Sequence, residues 1–190
     1  HSTPALTAYP ELDCPVPHKT WEWDRWEYCL GNERTYAFLE QVLDQVLEIF
    51  PSRFIHIGGD ECPADHWKKC PVCQAKIKAA NLRDEEGLRA YFIKRIESFL
   101  AARGRRMIGW DDIFKCGLAP GSAVMPWRAE VQETVPAIQA GHEVVSALST
   151  HLYFDYPEKR TPLEKVYAFE PVPAGLTPEQ AVHLLGAQAQ

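Results

Sequence analysis

The chain has 190 residues, 46% of them hydrophobic and 24% charged, and its formal net charge is −6. These values are ordinary for a globular domain with a sizeable core. The sequence has no block of Lys and Arg, so nucleic acid and anionic membrane surfaces are not expected as partners. No apolar run approaches the roughly 20 residues that a membrane-spanning helix needs.

Helices and strands alternate along the predicted chain. Apolar residues at helical spacing predict four helices, over residues 35–50, 84–103, 130–140 and 178–185. Short β-rich runs predict five strands, over residues 53–58, 106–110, 122–127, 143–148 and 186–190. This alternation predicts an α/β fold with a parallel sheet, either doubly wound or a (β/α) barrel.

Residues suited to chemistry follow the predicted strands. They are Asp60-Glu61, Trp110-Asp111, Trp127-Arg128, and Tyr153 with Asp155. A (β/α) barrel builds its active site at the carboxyl ends of its strands, whereas no GxGxxG follows a strand to support dinucleotide binding. We therefore predict a single catalytic (β/α)8 TIM-barrel domain over residues 1–190. Five strands are fewer than eight, so we expect the first strands and the end of the last strand to be missing.

The most informative motif is HIGGDE at residues 56–61. Two glycines let the backbone bend tightly after the strand and leave space for a ligand. Two carboxylates in one pocket do not ionise independently, so their pKa values separate into an acid and a base. A solvated acidic loop or a metal site is the alternative interpretation of Asp60 and Glu61.

The HIGGDE motif resembles the signature of family 20 glycoside hydrolases, the β-N-acetylhexosaminidases. Further segments resemble family motifs in the same order, at residues 1–12, 28–33, 108–113, 125–128 and 152–156. The resemblance implies hydrolysis of terminal non-reducing N-acetyl-β-D-hexosamine residues from glycoconjugates or chitooligosaccharides. It implies no cofactor, and family habit favours a periplasmic or secreted location.

The resemblance also implies substrate-assisted catalysis with retention at the anomeric carbon. The 2-acetamido oxygen of the substrate is then the nucleophile, and no enzyme carboxylate attacks the sugar. Glu61 would protonate the leaving oxygen and later deprotonate water. Asp60 would hold the acetamido N–H and offset the developing positive charge.

Five other residues receive supporting roles from the resemblance. Trp110 and Trp127 would wall the sugar pocket, Tyr153 would donate a hydrogen bond to the acetamido oxygen, and Asp155 would bind a sugar hydroxyl. His1 would support protonation of the catalytic acid.

Some departures from the family pattern keep other functions open. The family's hydroxyl-binding Arg and its closing Trp and Glu would lie outside residues 1–190, and Asp112 stands where Glu is more frequent. The alternatives are a catalytically impaired sugar-binding fragment and another TIM-barrel glycosidase that uses Asp60 and Glu61. Preference for GlcNAc or GalNAc and the oligomeric state stay open.

Cysteines raise a separate question. Residues 70–73 form a CxxC motif and, with Cys62 and His66, could hold zinc. A second CxxC is absent and these ligands crowd into one short loop, so we expect no metal and interpret the CxxC as a disulfide or free thiols at a helix start. Cys14 and Cys29 could pair in an oxidising compartment.

Overall fold

The computed structural model describes residues 3–17, 27–128, 130–157 and 159–190. These residues form two compact units, one drawn from residues 1–53 and 61–105 and the other from residues 54–60 and 106–190. We call them the helical unit and the sheet unit. No helix within the described ranges has the length and apolar character needed to cross a membrane.

The helical unit contains five α-helices and a short 3₁₀ helix at Pro10–Leu12 among its described residues. The α-helices are α1 (Thr3–Ala8), α2 (Glu33–Ile49), α3 (Asp65–Lys69), α4 (Pro71–Ala79) and α5 (Glu85–Ala101). The side chain of Asn32 caps α2 by accepting from the Arg34 amide, and that of Asp84 caps α5 by accepting from the Gly87 amide. These caps satisfy amide groups that lack a partner within the helix. The two long helices predicted from the sequence are confirmed.

The core of the helical unit gathers residues from distant parts of the chain. Leu30, Trp67 and Leu88 are nearly inaccessible to solvent and pack with four buried cysteines. The start of α2 fixes one edge of this core, because the Thr35 hydroxyl donates to the Cys29 carbonyl at 2.9 Å and the Tyr36 hydroxyl donates to the Leu30 carbonyl at 2.8 Å. The segment that carries Cys29 is therefore held by side-chain hydrogen bonds.

The sheet unit contains a parallel sheet of five strands in sequential order. They are β1 (Phe54–His56), β2 (Arg106–Trp110), β3 (Ala123–Met125), β4 (Glu143–Ser146) and β5 (Leu184–Ala187). The described helices are α6 (Val135–Gln139), α7 (Leu163–Tyr167), α8 (Pro178–Ala181) and 3₁₀ helices at Asp111–Cys116 and Val131–Thr134. The first four predicted strands are confirmed. The fifth is present but begins at Leu184, inside the helix predicted over residues 178–185, which ends at Ala181. The absence of an order reversal argues against a doubly wound sheet.

At its central strand, β3, the sheet is buried on both faces. Ala123 and Met125 pack on one face with Ile108 and Ala147, whereas Val124 packs on the other with residues of α6. The packing partners alternate along β3 because successive side chains of a strand point to opposite faces of the sheet. Burial on both faces is typical of parallel sheets and explains why β3 is a continuous apolar run.

Replacing Tyr36 with Phe should lower the free energy of unfolding by about 1–3 kcal/mol, because the buried Leu30 carbonyl loses its donor. Chemical denaturation followed by circular dichroism measures the change. Tyr167→Phe is the matched control, since Tyr167 is 91% exposed. Equal stability of the two variants would show that the Tyr36 hydrogen bond contributes nothing.

Candidate active site

The predicted functional residues of the sheet unit follow the carboxyl ends of successive strands. Asp60 lies shortly after β1, Trp110 is the last residue of β2, and Trp127 lies just after β3. Tyr153 lies in the segment that follows β4. Because the strands are parallel, their carboxyl ends share one edge of the sheet, which is where barrels of this kind place catalytic residues.

Aromatic rings form a continuous row along this edge. Trp110 and Trp127 have ring centroids 6.3 Å apart in an edge-to-face arrangement, and Trp127 stacks on Tyr153 at 6.4 Å with an angle of 15° between the rings. The row continues to His56, 4.8 Å from Trp110, and to Tyr156, 5.9 Å from Tyr153. We call these five residues the aromatic row. Such a row offers flat apolar surface with polar edges.

The two glycines of HIGGDE give the segment before Asp60 its shape. Gly58 and Gly59 have φ values of 73° and 96°, a left-handed conformation that side chains rarely adopt. A Cβ atom at Gly59 would lie 2.4 Å from Cγ2 of Ile113, which is fully buried. Both the backbone conformation and the close approach to Ile113 therefore require glycine there.

Asp60 lies within electrostatic range of two residues of the aromatic row, His56 and Tyr153. Burial raises the pKa of the Tyr153 hydroxyl, and the charges of Tyr156, Asp60 and Asp155 raise it further. Desolvation lowers the pKa of His56 although part of the ring is exposed, and the Asp60 carboxylate opposes that shift. The Gly58 amide donates to His56 Nδ1 at 3.1 Å. Tyr153 is thus kept as a protonated donor near a carboxylate.

Charged groups border the row beside Trp127. The Arg128 guanidinium lies 4.0 Å from the centroid of the Trp127 ring and pairs with Asp112 Oδ1 at 3.4 Å. Asp111 accepts a hydrogen bond from the Trp127 amide at 3.3 Å. These contacts tie the segment that carries Trp127 to the carboxyl end of β2, which is a positioning role that the sequence did not suggest for Asp111 or Arg128.

Glu61 belongs to the helical unit, and it directly follows Asp60 in the chain. Glu61 is exposed and has a φ of 49°. A left-handed conformation is uncommon for a residue with a side chain and is often found at functional sites.

The structure brings together Asp60, Trp110, Trp127 and Tyr153 within the sheet unit, whereas Asp155 near them is exposed. His1 lies outside the described residues, as do the tryptophans of segment 18–26. Sequence reasoning gave no site role to His56 or Tyr156. His56 joins the row through its contact with Trp110 on the neighbouring strand, and Tyr156 through its contact with Tyr153 in the same segment. His56 could have been suspected because it ends a strand.

Over residues 1–190 the chain matches the family described as glycosyl hydrolase family 20, catalytic domain. The chain belongs to that family. It is 39% identical to a beta-hexosaminidase of Porphyromonas gingivalis, an alignment that covers 100% of the chain and 26% of that protein.

Solved structures of family members are similar in fold. The Flavobacterium johnsoniae chitobiase matches with a TM-score of 0.85 and 27% identity, over 100% of the chain and 30% of that protein. An exo beta-N-acetylglucosaminidase from Vibrio harveyi, in complex with N-acetylglucosamine, matches with a TM-score of 0.82 and 26% identity, over 97% of the chain and 32% of that protein. The chain spans about a quarter to a third of these relatives. The predicted (β/α) barrel is confirmed, and the sheet provides five of its eight strands.

Asp111 should make the stability of the chain depend on pH. Burial raises the pKa of Asp111, while the Trp127 amide acts in the opposite direction. The folded state then binds this proton more tightly than the unfolded state, so the free energy of unfolding should fall as pH rises through the elevated pKa. Asp111→Asn should remove this part of the pH dependence in urea unfolding measured across a pH series. Asp155→Asn, at an exposed position, should follow the wild-type curve, and an Asp111→Asn curve that also follows it would contradict this assignment.

Proposed function

We propose that this chain carries out the hydrolysis of terminal non-reducing N-acetyl-β-D-hexosamine residues, with retention and with participation of the 2-acetamido group. The observation that carries the proposal is the position of Asp60 at the carboxyl edge of the sheet, beside the aromatic row, in a chain of family 20. The chain would act on glycoconjugates or chitooligosaccharides.

Asp60 would act on the acetamido group. A carboxylate that accepts the acetamido N–H orients the carbonyl oxygen toward the anomeric carbon and favours the positive charge that develops during ring closure. The glycines before Asp60 and the buried Ile113 fix the backbone that carries it. The position of the Asp60 carboxylate matters because Asp60 would orient the acetamido group without forming a covalent bond to the sugar.

Glu61 would act as the general acid and then as the general base. It would donate a proton to the leaving oxygen as the acetamido oxygen attacks, and it would take a proton from the water that opens the oxazolinium ring. Each proton that Glu61 gives in the first step is recovered in the second, so the enzyme returns to its starting state. Its left-handed backbone conformation supports a specialised role at this position.

The aromatic row would bind the sugar. Trp110 and Trp127 present rings on which an apolar sugar face or the acetamido methyl can pack. Tyr153 would donate to the acetamido oxygen, consistent with a raised pKa that keeps it protonated. Within the described part of the chain, the buried Trp127 Nε1 has no hydrogen-bond partner and is a further donor for a ligand.

The relatives support this class of substrate. The Vibrio harveyi protein is named as an exo beta-N-acetylglucosaminidase and was solved in complex with N-acetylglucosamine, which is the sugar class proposed here. Asp155 would bind a sugar hydroxyl from its exposed position, and His1 would support protonation of Glu61.

Glu61→Gln should lower kcat on a nitrophenyl β-N-acetylglucosaminide by about 10²–10⁴-fold, because the leaving oxygen loses its acid. Nitrophenol release at fixed pH measures the change, with melting curves to confirm that the variant is folded. Glu97→Gln, on α5 of the same unit, is a matched control expected to retain activity. Glu61→Gln with wild-type kcat would contradict the assignment.

Hydrolysis should require the acetamido group of the substrate. A nitrophenyl β-glucoside should not be hydrolysed by wild type, because it lacks the internal nucleophile. Asp60→Asn should lower kcat/KM on the acetamido substrate by about 10²–10³-fold. Comparable rates on both substrates would instead indicate a glycosidase in which an enzyme carboxylate is the nucleophile, and no release from either substrate would favour a sugar-binding role.

A further inference from the structure

Four cysteines meet in the core of the helical unit. Cys14, Cys29, Cys70 and Cys73 are all buried, and their sulfur atoms all lie within 4.8 Å of one another. They come from three separate segments of the chain, and all are free thiols. An ordinary apolar core has no need to bring four sulfurs to one point.

The distances between these sulfurs fit a tetrahedral metal ion. Sγ of Cys29 lies 3.7 Å from Sγ of Cys70 and 3.7 Å from that of Cys73, and Sγ of Cys14 lies 3.8 Å from that of Cys73. Around a tetrahedral zinc ion with zinc–sulfur bonds of about 2.3 Å, neighbouring sulfurs lie about 3.8 Å apart. The separations are therefore those of sulfurs that share one central ion.

The backbone around the cysteines is shaped to support this cluster. Cys70 caps α4, and the Cys73 amide lies 3.5 Å from its sulfur, so the CxxC turn directs an N–H group at a ligand sulfur. The Gly31 amide is directed toward the sulfurs of Cys29 and Cys73. Such N–H groups orient metal-bound thiolates.

Gly31 also allows the loops of the cluster to approach each other. A Cβ atom at Gly31 would lie 2.3 Å from the Val72 carbonyl oxygen and 2.6 Å from the Cys73 nitrogen. These are backbone atoms, so a larger residue would push the Cys29 loop away from the CxxC turn. Glycine at position 31 is thus needed for the four cysteines to come together.

The ligand set differs from the one considered from the sequence. Cys62 Sγ lies 3.8 Å from Glu27 Oε2, and His66 Nδ1 lies 3.7 Å from Glu27 Oε1. Both residues therefore face a buried carboxylate, and Cys14 and Cys29 take the two places beside the CxxC.

We propose that Cys14, Cys29, Cys70 and Cys73 bind one Zn²⁺ ion in a structural site. Binding releases the four thiol protons and leaves a Zn(thiolate)₄ centre with a net charge of −2. Four protein sulfurs complete the tetrahedron and leave no position for water, so the ion cannot act as a catalyst. Four thiolates in a tetrahedron select zinc or iron among common metals, and zinc is redox-inert.

The ion would hold together the segments that contain Cys14, Cys29 and the CxxC turn. Glu61 precedes Cys70 in the same unit, and only α3 lies between them. Loss of the ion should therefore loosen the segment that follows the proposed catalytic acid. This inference about metal binding does not depend on the proposed hydrolysis.

The first test is metal analysis of the purified chain by mass spectrometry, combined with X-ray absorption at the zinc edge. We expect one zinc per chain with four sulfur neighbours at about 2.3 Å. Chelation should lower Tm, and Zn²⁺ but not Mg²⁺ should restore it. Three results would each overturn the proposal: a metal-free chain with six titratable thiols, a mass that shows two disulfides, or nitrogen and oxygen neighbours around the metal.

Single cysteine variants test which residues bind the zinc ion. Cys70→Ser and Cys14→Ser should each lose most of the bound zinc, whereas Cys62→Ser and Cys116→Ser should retain one zinc per chain. If Cys62→Ser lost its zinc and Cys14→Ser kept it, the proposed ligand set would be wrong, and Cys62 would bind the metal together with Cys70 and Cys73. Because a ligand variant can fail to fold, Gly31→Ala is a milder test, and it should release zinc to a chromogenic chelator faster than wild type.

Discussion

All five strands of the sheet run in the same direction and in sequential order, and this constraint fixes where functional residues can meet. Parallel strands bring every carboxyl end to one edge, so residues far apart in the chain become neighbours. His56, Trp110, Trp127 and Tyr153 form one row for this reason. This row of rings with polar edges, within electrostatic range of Asp60, supports the proposed binding of an acetamido sugar.

The turn after β1 leads from this edge of the sheet to Asp60 and Glu61, the proposed catalytic carboxylates. Gly58 and Gly59 both adopt left-handed conformations, and the close approach of Gly59 to Ile113 defines the path of the backbone toward Asp60; Glu61 also has a positive φ. A defined backbone path matters when catalysis depends on orientation. The proposed zinc centre would stabilise the backbone of the helical unit in a similar way, because it would hold the chain at Cys70, shortly after Glu61.

Local sequence signals predicted the strands, the two long helices and the residues at strand ends, because each depends on spacing or on a short motif. Contacts between distant residues were not predictable in this way. The sequence alone does not show that Cys14 and Cys73, 59 residues apart, lie side by side. The zinc site considered from the sequence therefore combined the CxxC motif with the nearby Cys62 and His66. Helices α1, α3 and α7 were missed because each is too short for an apolar period to emerge, whereas the start of α4 was suggested by the CxxC motif. The place of His56 in the row depends on its edge-to-face contact with Trp110 on the neighbouring strand, and that of Tyr156 on stacking with Tyr153. Neither contact was predicted from the sequence.

Acetamido participation directed by Asp60 can be tested by the binding of an N-acetylglucosamine analogue whose acetamido group is closed into a stable thiazoline ring, which mimics the oxazolinium intermediate. Isothermal calorimetry should show that the chain binds this analogue at least about 10²-fold more tightly than N-acetylglucosamine, as expected for a mimic of the reacting state. The preference should be largely lost in Asp60→Asn. Equal affinity for the two ligands, or a preference that Asp60→Asn leaves unchanged, would contradict acetamido participation directed by Asp60.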